Sequence, residues 1–125
     1  MAWRGKPKWN GKEVTIELEG CVLPFAFGIV PFMISIENCE DMFLPIFSEK
    51  DDLDKFMNDV GKKAGVTHWT VKQVDVGGKQ EFMDSILSQG VRIMLNPNII
   101  NEHHTKWLEV IKQGDQWRYV DVEKN

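Results

Sequence analysis

Hydrophobic and polar positions alternate strictly over residues 13–19. Val14, Ile16 and Leu18 fall on one face and Glu13, Thr15, Glu17 and Glu19 on the other, the pattern of a half-buried strand ended by Gly20. Residues 22–28 are apolar but interrupted by Pro24, whose missing N–H suits an edge strand or a bend. Residues 29–37 read as a strand with Pro31 near its beginning. Asn38-Cys39-Glu40-Asp41 then has turn chemistry, and it predicts a hairpin pairing 32–37 with 42–47.

From Met42 to Leu95 the period switches repeatedly, giving strand, helix, strand, helix and strand end to end. The apolar run Phe43-Leu44-Pro45-Ile46-Phe47 stops at Ser48, a residue suited to capping a helix, with Asp51 in a short-armed capping box. Leu53, Phe56, Met57 and Val60 stand at i, i+3, i+4 and i+7, one apolar stripe, and Gly65 supplies a left-handed stop. A strand follows over 69–76, with Trp69, Val71 and Val74 apolar. Gly77-Gly78 hinges into a helix over 79–89 that buries Phe82, Met83, Ile86 and Leu87 and closes at Gly90. The short apolar run 91–95 suits a central strand. Because helices separate them, 42–47, 70–76 and 91–95 are expected to run parallel. A third helix is expected over 101–113, presenting Trp107, Leu108 and Ile111, with Glu102 and Lys106 paired at i, i+4. Gly114-Asp115 then turns into a closing strand, 116–122. The expected fold class is α/β: a mixed sheet with a parallel β-α-β-α-β unit, an N-terminal antiparallel hairpin and a C-terminal helix and strand.

At 125 residues the chain fits a single domain, 1–125, with 1–12 as an irregular arm. A formal charge of −4 argues against generic nucleic-acid binding, although Arg4, Lys6, Lys8 and Lys12 make the start locally basic. The two cysteines, Cys21 and Cys39, lack zinc-site spacing and are expected to be reduced thiols. The apolar stretch 21–36 contains Pro24, Gly28 and Pro31 and is too short to span a bilayer, so no membrane association is expected. Glu13, Glu17 and Glu19 separate the basic start from that stretch, unlike a secretory signal, and the expected compartment is the cytoplasm.

Three landmarks taken in order carry a resemblance: Leu44-Pro45-Ile46-Phe47-Ser48 with Leu53 and Phe56, the segment from Val71 to Leu87, and Gly90 with Met94-Leu95-Asn96-Pro97. Together they resemble the SseB-type domain, the bacterial family named for enhanced serine sensitivity, over about residues 29–98. The resemblance implies the fold above and a non-catalytic adaptor or protein–protein interaction role. Related domains occur beside bacterial secretion and toxin–immunity systems. Residues 1–28 and the Trp117-Arg118-Tyr119 ending depart from the family pattern and bear on which partner is bound.

No catalytic, cofactor or metal constellation stands out. Adjacent His103 and His104 on a helix would point about 100° apart and could not readily share an ion, so they read as exposed histidines at a helix start. His68 reads as a loop residue. Ser48 lacks the glycines of a nucleophile elbow, since Ile46 and Lys50 occupy those positions. Gly77-Gly78 lacks a phosphate-loop pattern. Glu49, Asp51, Asp52 and Asp54 complement a helix dipole and also offer an acidic face. In an open parallel sheet the carboxyl ends of the strands gather along one edge. Ser48, Asp75, Gly77, Gly78, Asn96 and Pro97 are therefore the expected interaction surface, with another protein as partner. An immunity protein acting through its acidic face, or a small-ligand binder or enzyme using the strand-end crevice, are the alternatives.

Overall fold

The computed structural model describes residues 14–15, 21–28, 30–36, 39–73, 79–101, 103–114 and 116–124. The 1–12 arm and the Glu102–Lys106 pairing fall outside them, as do Asp75, Gly77 and Gly78. The strands are β1 (Val14–Thr15), β2 (Val22–Ala26), β3 (Val30–Pro31), β4 (Ile34–Ser35), β5 (Met42–Ile46), β6 (Trp69–Gln73), β7 (Arg92–Asn101), β8 (His104–Gln113) and β9 (Gln116–Lys124). Helix α1 (Lys50–Phe56) continues into a π-helical turn (Met57–Gly61), and α2 spans Lys79–Ser88. A six-stranded sheet has the order β1-β9-β8-β7-β5-β4, and a three-stranded sheet the order β3-β2-β6. The fold is mixed α/β and mostly strand. Among the described residues no helix is long and apolar enough to cross a membrane.

The parallel pairing expected between the first and last strands of the 42–95 stretch is present: β5 runs beside β7, from Phe43↔Arg92 to Ile46↔Leu95. The middle strand differs. β6 pairs antiparallel with β2 in the smaller sheet, from Val22↔Gln73 to Ala26↔Trp69, so the described residues form no three-stranded parallel unit. A parallel strand is normally buried on both faces. β6 is only half-buried at Trp69 and Val71 and exposed at Thr70, Lys72 and Gln73, the profile of an edge. It is β2 that is buried on both faces. Leu23 joins a cluster beneath α2 with Met83, Ile86, Ile93 and Leu95, while Val22 and Ala26 join α1 with Leu53, Phe56 and Met57.

That makes β2 the central strand of its sheet, contrary to the edge position that Pro24 suggests. The Pro24 carbonyl accepts a bond from the Phe32 N–H at 2.9 Å, so its nitrogen also faces the side of two-residue β3. No ladder bond to β6 is lost there. The 29–37 strand is correspondingly broken in two, β3 in one sheet and β4 in the other, because Pro31 cannot donate onward and Phe32 turns into the α1 cluster. What remains of the expected hairpin is Ile34↔Phe43 and Ser35↔Met42.

The largest departure is β8, where a helix is expected. It pairs with both β7 and β9, and its burial follows strand geometry. Trp107 packs with Phe43, Met94, Val120 and Val122 on one face of the sheet, and Val110 with Leu44, Ile46 and Trp117 on the other. β-branched Thr105, Val110 and Ile111 favour this outcome. Each fully buried aliphatic side chain contributes about 1.5–3 kcal/mol, which outweighs the helix propensity of the segment.

Both helices behave as their stripes predict. Leu53 and Met57 are fully buried, as is Met83, and the chain leaves each helix through a left-handed glycine, Gly65 at φ +87° and Gly90 at φ +81°. Cys21 lies in the cluster beneath α2, whereas Cys39 packs on the opposite face of the large sheet.

Candidate functional site

The carboxyl ends of β5 and β7 lie side by side, and there the chain makes an unusual pair of turns. Phe47 leaves the sheet by exchanging bonds with Val22, N–H to carbonyl at 2.7 and 2.8 Å, which links the two sheets. Ser48 follows, and its backbone N–H donates to Asn96 Oδ1 at 3.0 Å. The Asn96 amide in turn donates to Ser48 Oγ, also at 3.0 Å. Ser48 is therefore clasped to β7 and does not cap α1. Glu49 occupies the cap position, extended at φ −129° and ψ 133°, with no side-chain cap bond.

Asn96 reaches Ser48 because its backbone is left-handed, φ +51°. Asparagine is among the few residues other than glycine that adopt this conformation readily, and the proline that follows disfavours the right-handed alternative. The β7–β8 register shifts here, from Leu95↔Leu108 to Asn98↔Lys106, leaving two residues of β7 opposite one of β8. Pro97, which has no N–H, sits in this bulge at no cost to the ladder. Such a bulge re-aims side chains, and here it turns Asn96 toward the start of α1.

A groove of about 360 Å³ opens between α1 and the bulged strand. One wall is a helical stripe, Asp52, Lys55, Phe56, Asp59 and Val60, and the other is Asn96 to Ile99. Phe47 and Phe56 form the floor, their rings 5.2 Å apart. Asp52, Lys55 and Asp59 are exposed at the rim. On the far side of the same bulge, a second hollow of about 380 Å³ lies between Asn96 and Asn98 and the polar side chains of Lys106, Asp121 and Glu123.

Of the surface expected from sequence, Ser48 and Asn96 are bonded to each other and Pro97 lines the groove, while Asp75, Gly77 and Gly78 lie outside the described residues. The acidic cluster divides its work. Asp54 accepts from Lys50 Nζ at 2.6 Å and from the Trp69 indole N–H at 3.2 Å, tying α1 to β6, whereas Asp52 faces the groove. These two donors, Lys50 first, hold the Asp54 carboxyl below its ordinary range. The histidines stand at a strand start, not a helix start. His103 is exposed in the turn, and His104 on β8 pairs with Glu123, with Lys106 Nζ 4.0 Å from the same carboxylate. The His68 carbonyl accepts the Phe27 N–H at 2.8 Å.

Asp52 was expected only as part of the acidic face, and Lys55, Asp59, Asn98 and Ile99 were not among the expected site residues. The helical ones are legible in principle, since 52, 55, 56, 59 and 60 repeat the i, i+3, i+4 spacing immediately beside the buried stripe.

A second polar cluster lies at the opposite end of the parallel pair. Arg92, only 12% exposed, makes a two-pronged pair with Glu109, Nε to Oε2 and Nη2 to Oε1, each at 2.8 Å, and Nη1 reaches Asp41 at 3.3 Å. The Trp107 indole donates to the same Glu109 at 3.0 Å, and the guanidinium lies over the Phe43 ring at 4.9 Å. Burial opposes the charge of Arg92, but the bonds and attraction from Glu109 and Asp41 outweigh it, and its proton is held above the ordinary arginine range. No family model, no curated protein and no solved structure matches this chain.

Proposed function

We propose that this chain is a non-catalytic protein-interaction domain of the SseB-like type, working in the cytoplasm as an adaptor, with the groove between α1 and β7 as its contact surface. The observation that carries this reading is the groove itself: an apolar floor of Phe47 and Phe56 under a rim of exposed charges. The clasp between Ser48 and Asn96 adds support, because it joins the two segments on which the family resemblance rests. Binding is favoured over reaction because the bond to Ser48 Oγ comes from the Asn96 amide, a donor that cannot act as its base, and the groove offers exposed carboxylates and a lysine, with no nucleophile held against a base among the described residues. An acidic rim also fits the immunity-protein alternative, in which the partner is a basic toxin.

The test is affinity capture from the native cell, comparing the natural chain with an Asp52→Lys/Asp59→Lys double variant at two salt concentrations. Both residues are exposed, and the change gives up only the exposed Asp59–Lys63 pair and one first-turn carboxylate, each worth about 1 kcal/mol or less; a urea midpoint for the double variant confirms that it is folded. The expected result is a partner that weakens as salt rises and is lost by the double variant. Capture indifferent to both overturns the proposal.

A further inference from the structure

The two walls of the groove are unlike, and the strand wall is unfinished. β5 leaves the sheet after Ile46, opposite Leu95, but β7 runs on to Asn101. From Asn98 onward β7 keeps β8 on one side, at Asn98↔Lys106 and Ile99↔Thr105, then, past a second bulge at Ile100, at Asn101↔His104. Among the described residues no strand pairs with its other side. That open edge is apolar: Ile99 is 40% exposed and Ile100 47%. Exposed edges are normally blunted by a lysine, a proline, a bulge or a covering element, and of these the bulges at 96–97 and at Ile100 are present, leaving Asn98 and Ile99 as the regular stretch between them. Here the side chains from 98 to 101 are Asn, Ile, Ile and Asn, and α1 stands off across the groove without covering them.

Resting on the interaction reading above, we infer that the groove takes an extended peptide segment, which adds as a strand to the free edge of β7 at 98–101 and lies against the α1 stripe. Main-chain bonds to β7 supply affinity, and alternate side chains of the segment point to the groove floor. The charge of the helix wall selects the rest. Asp52 and Asp59 flank Lys55, and Glu49 and Asp51 stand exposed just before them; Asp59 pairs with Lys63 at 3.1 Å, whereas Asp52 makes no ion pair among the described residues. The segment that fits alternates apolar residues with Lys or Arg.

The probes are peptides about eight residues long, the length of a typical strand or slightly more: one alternating Val with Lys, one alternating Val with Glu. Two further versions of the Val/Lys peptide carry N-methyl groups on alternate residues, in opposite phases. N-methylation removes donors without altering charge, and a strand added on one side uses only every second N–H. Titrated into the whole chain and followed by amide NMR shifts, the Val/Lys peptide is expected to move the amides of 98–101. One methylated phase should weaken it about tenfold or more and the other leave it nearly unchanged. The Val/Glu peptide should not bind.

Equal effects of the two phases, shifts that avoid 98–101, or no binding by any peptide each overturn strand addition. If cell capture still depends on Asp52 and Asp59, the interaction reading survives that loss; if it does not, both fall. Self-association of the chain that Ile100→Lys dissolves assigns the edge to a second copy and also overturns the peptide as occupant.

Discussion

The two ends of the β5/β7 pair are polar for opposite purposes. At the amino end Arg92 is enclosed, and its partners Glu109 and Trp107 are themselves buried, so every strong donor there meets an acceptor inside the protein. At the carboxyl end Asn96 and Ser48 satisfy each other, but the backbone that holds them is left-handed and the charges around them face outward. A closed polar cluster locks neighbouring strands and offers nothing to a visitor. An open one, held in a sparsely populated conformation, is where binding is expected. Mutating the two ends should therefore separate stability from recognition.

The largest effect belongs to the closed end. Arg92→Met leaves the Glu109 carboxylate buried beside an indole with no counter-charge, and breaking a buried pair in this way costs about 3–5 kcal/mol. Urea unfolding should show the loss as a lowered midpoint with little change in slope. Replacing both partners, Arg92→Met with Glu109→Leu, should recover much of it, since no charge is then stranded. A double variant as unstable as the single would show that the cluster does not act as a pair, and the contrast between the ends would lose its basis.

An intermediate effect is expected at Asn96. Asn96→Ala removes both bonds to Ser48 and places a residue with a Cβ and no local hydrogen bond at φ +51°, a loss of about 1–2 kcal/mol. Asn96→Gly loses the same bonds but adopts the conformation freely, so it should be the milder change despite the usual penalty for glycine in a strand. Thermal unfolding of the two variants reads the order directly. If alanine proves no worse than glycine, the backbone at the open end is not strained and the argument from conformation fails there. Both substitutions should weaken partner capture more than their stability loss explains, because the clasp sets the spacing of the groove walls.

How much of this was legible in the chain depends on whether the deciding contact is local. The two helices and their glycine stops follow from a 3.6-residue stripe and a left-handed exit, signals contained within about fifteen residues. The β8 segment fails for the converse reason. The apolar residues of β8 fall on both faces, Trp107 on one and Leu108 and Val110 on the other, and a glutamate takes a buried position, so the sequence shows no clean alternation; the adjacent Trp107 and Leu108 read as part of a helical face, and Glu109 as its solvent side. Its true partner, Arg92, is 17 residues away on a neighbouring strand, and nothing in the spacing announces it. The Ser48–Asn96 clasp spans 48 residues. Strand ends could be foreseen at both positions from the Ser48 stop and the Asn96-Pro97 break. The choice between capping and clasping depended on a side chain that only the folded sheet brings into reach. Proline carried the same ambiguity: Pro24 marks an edge only if the side its nitrogen faces is left open, and here that side is closed by the short β3 while the long partner β6 lies on the other.

The smallest predicted effect tests the open end from its helix side. Asp54 accepts from Lys50 and from the Trp69 indole, and its side chain is 31% exposed, so the interaction is largely screened by water. Asp54→Asn keeps an oxygen for Trp69 and removes the charge that Lys50 meets, so the melting temperature at neutral pH should fall by no more than about 2 °C. The sign with pH is fixed. The folded carboxyl titrates below its ordinary 3.8, so the proton is bound more readily by the unfolded chain. The advantage of the natural protein over the variant is therefore present above 3.8 and disappears as the pH falls through the lower, folded value. Guanidine would screen the pair, so the comparison belongs in urea at low salt. A gap that persists undiminished in acid would mean that Asp54 acts through shape alone. The helix wall of the groove would then be held by packing on Trp69 and the α1 cluster, with no electrostatic share.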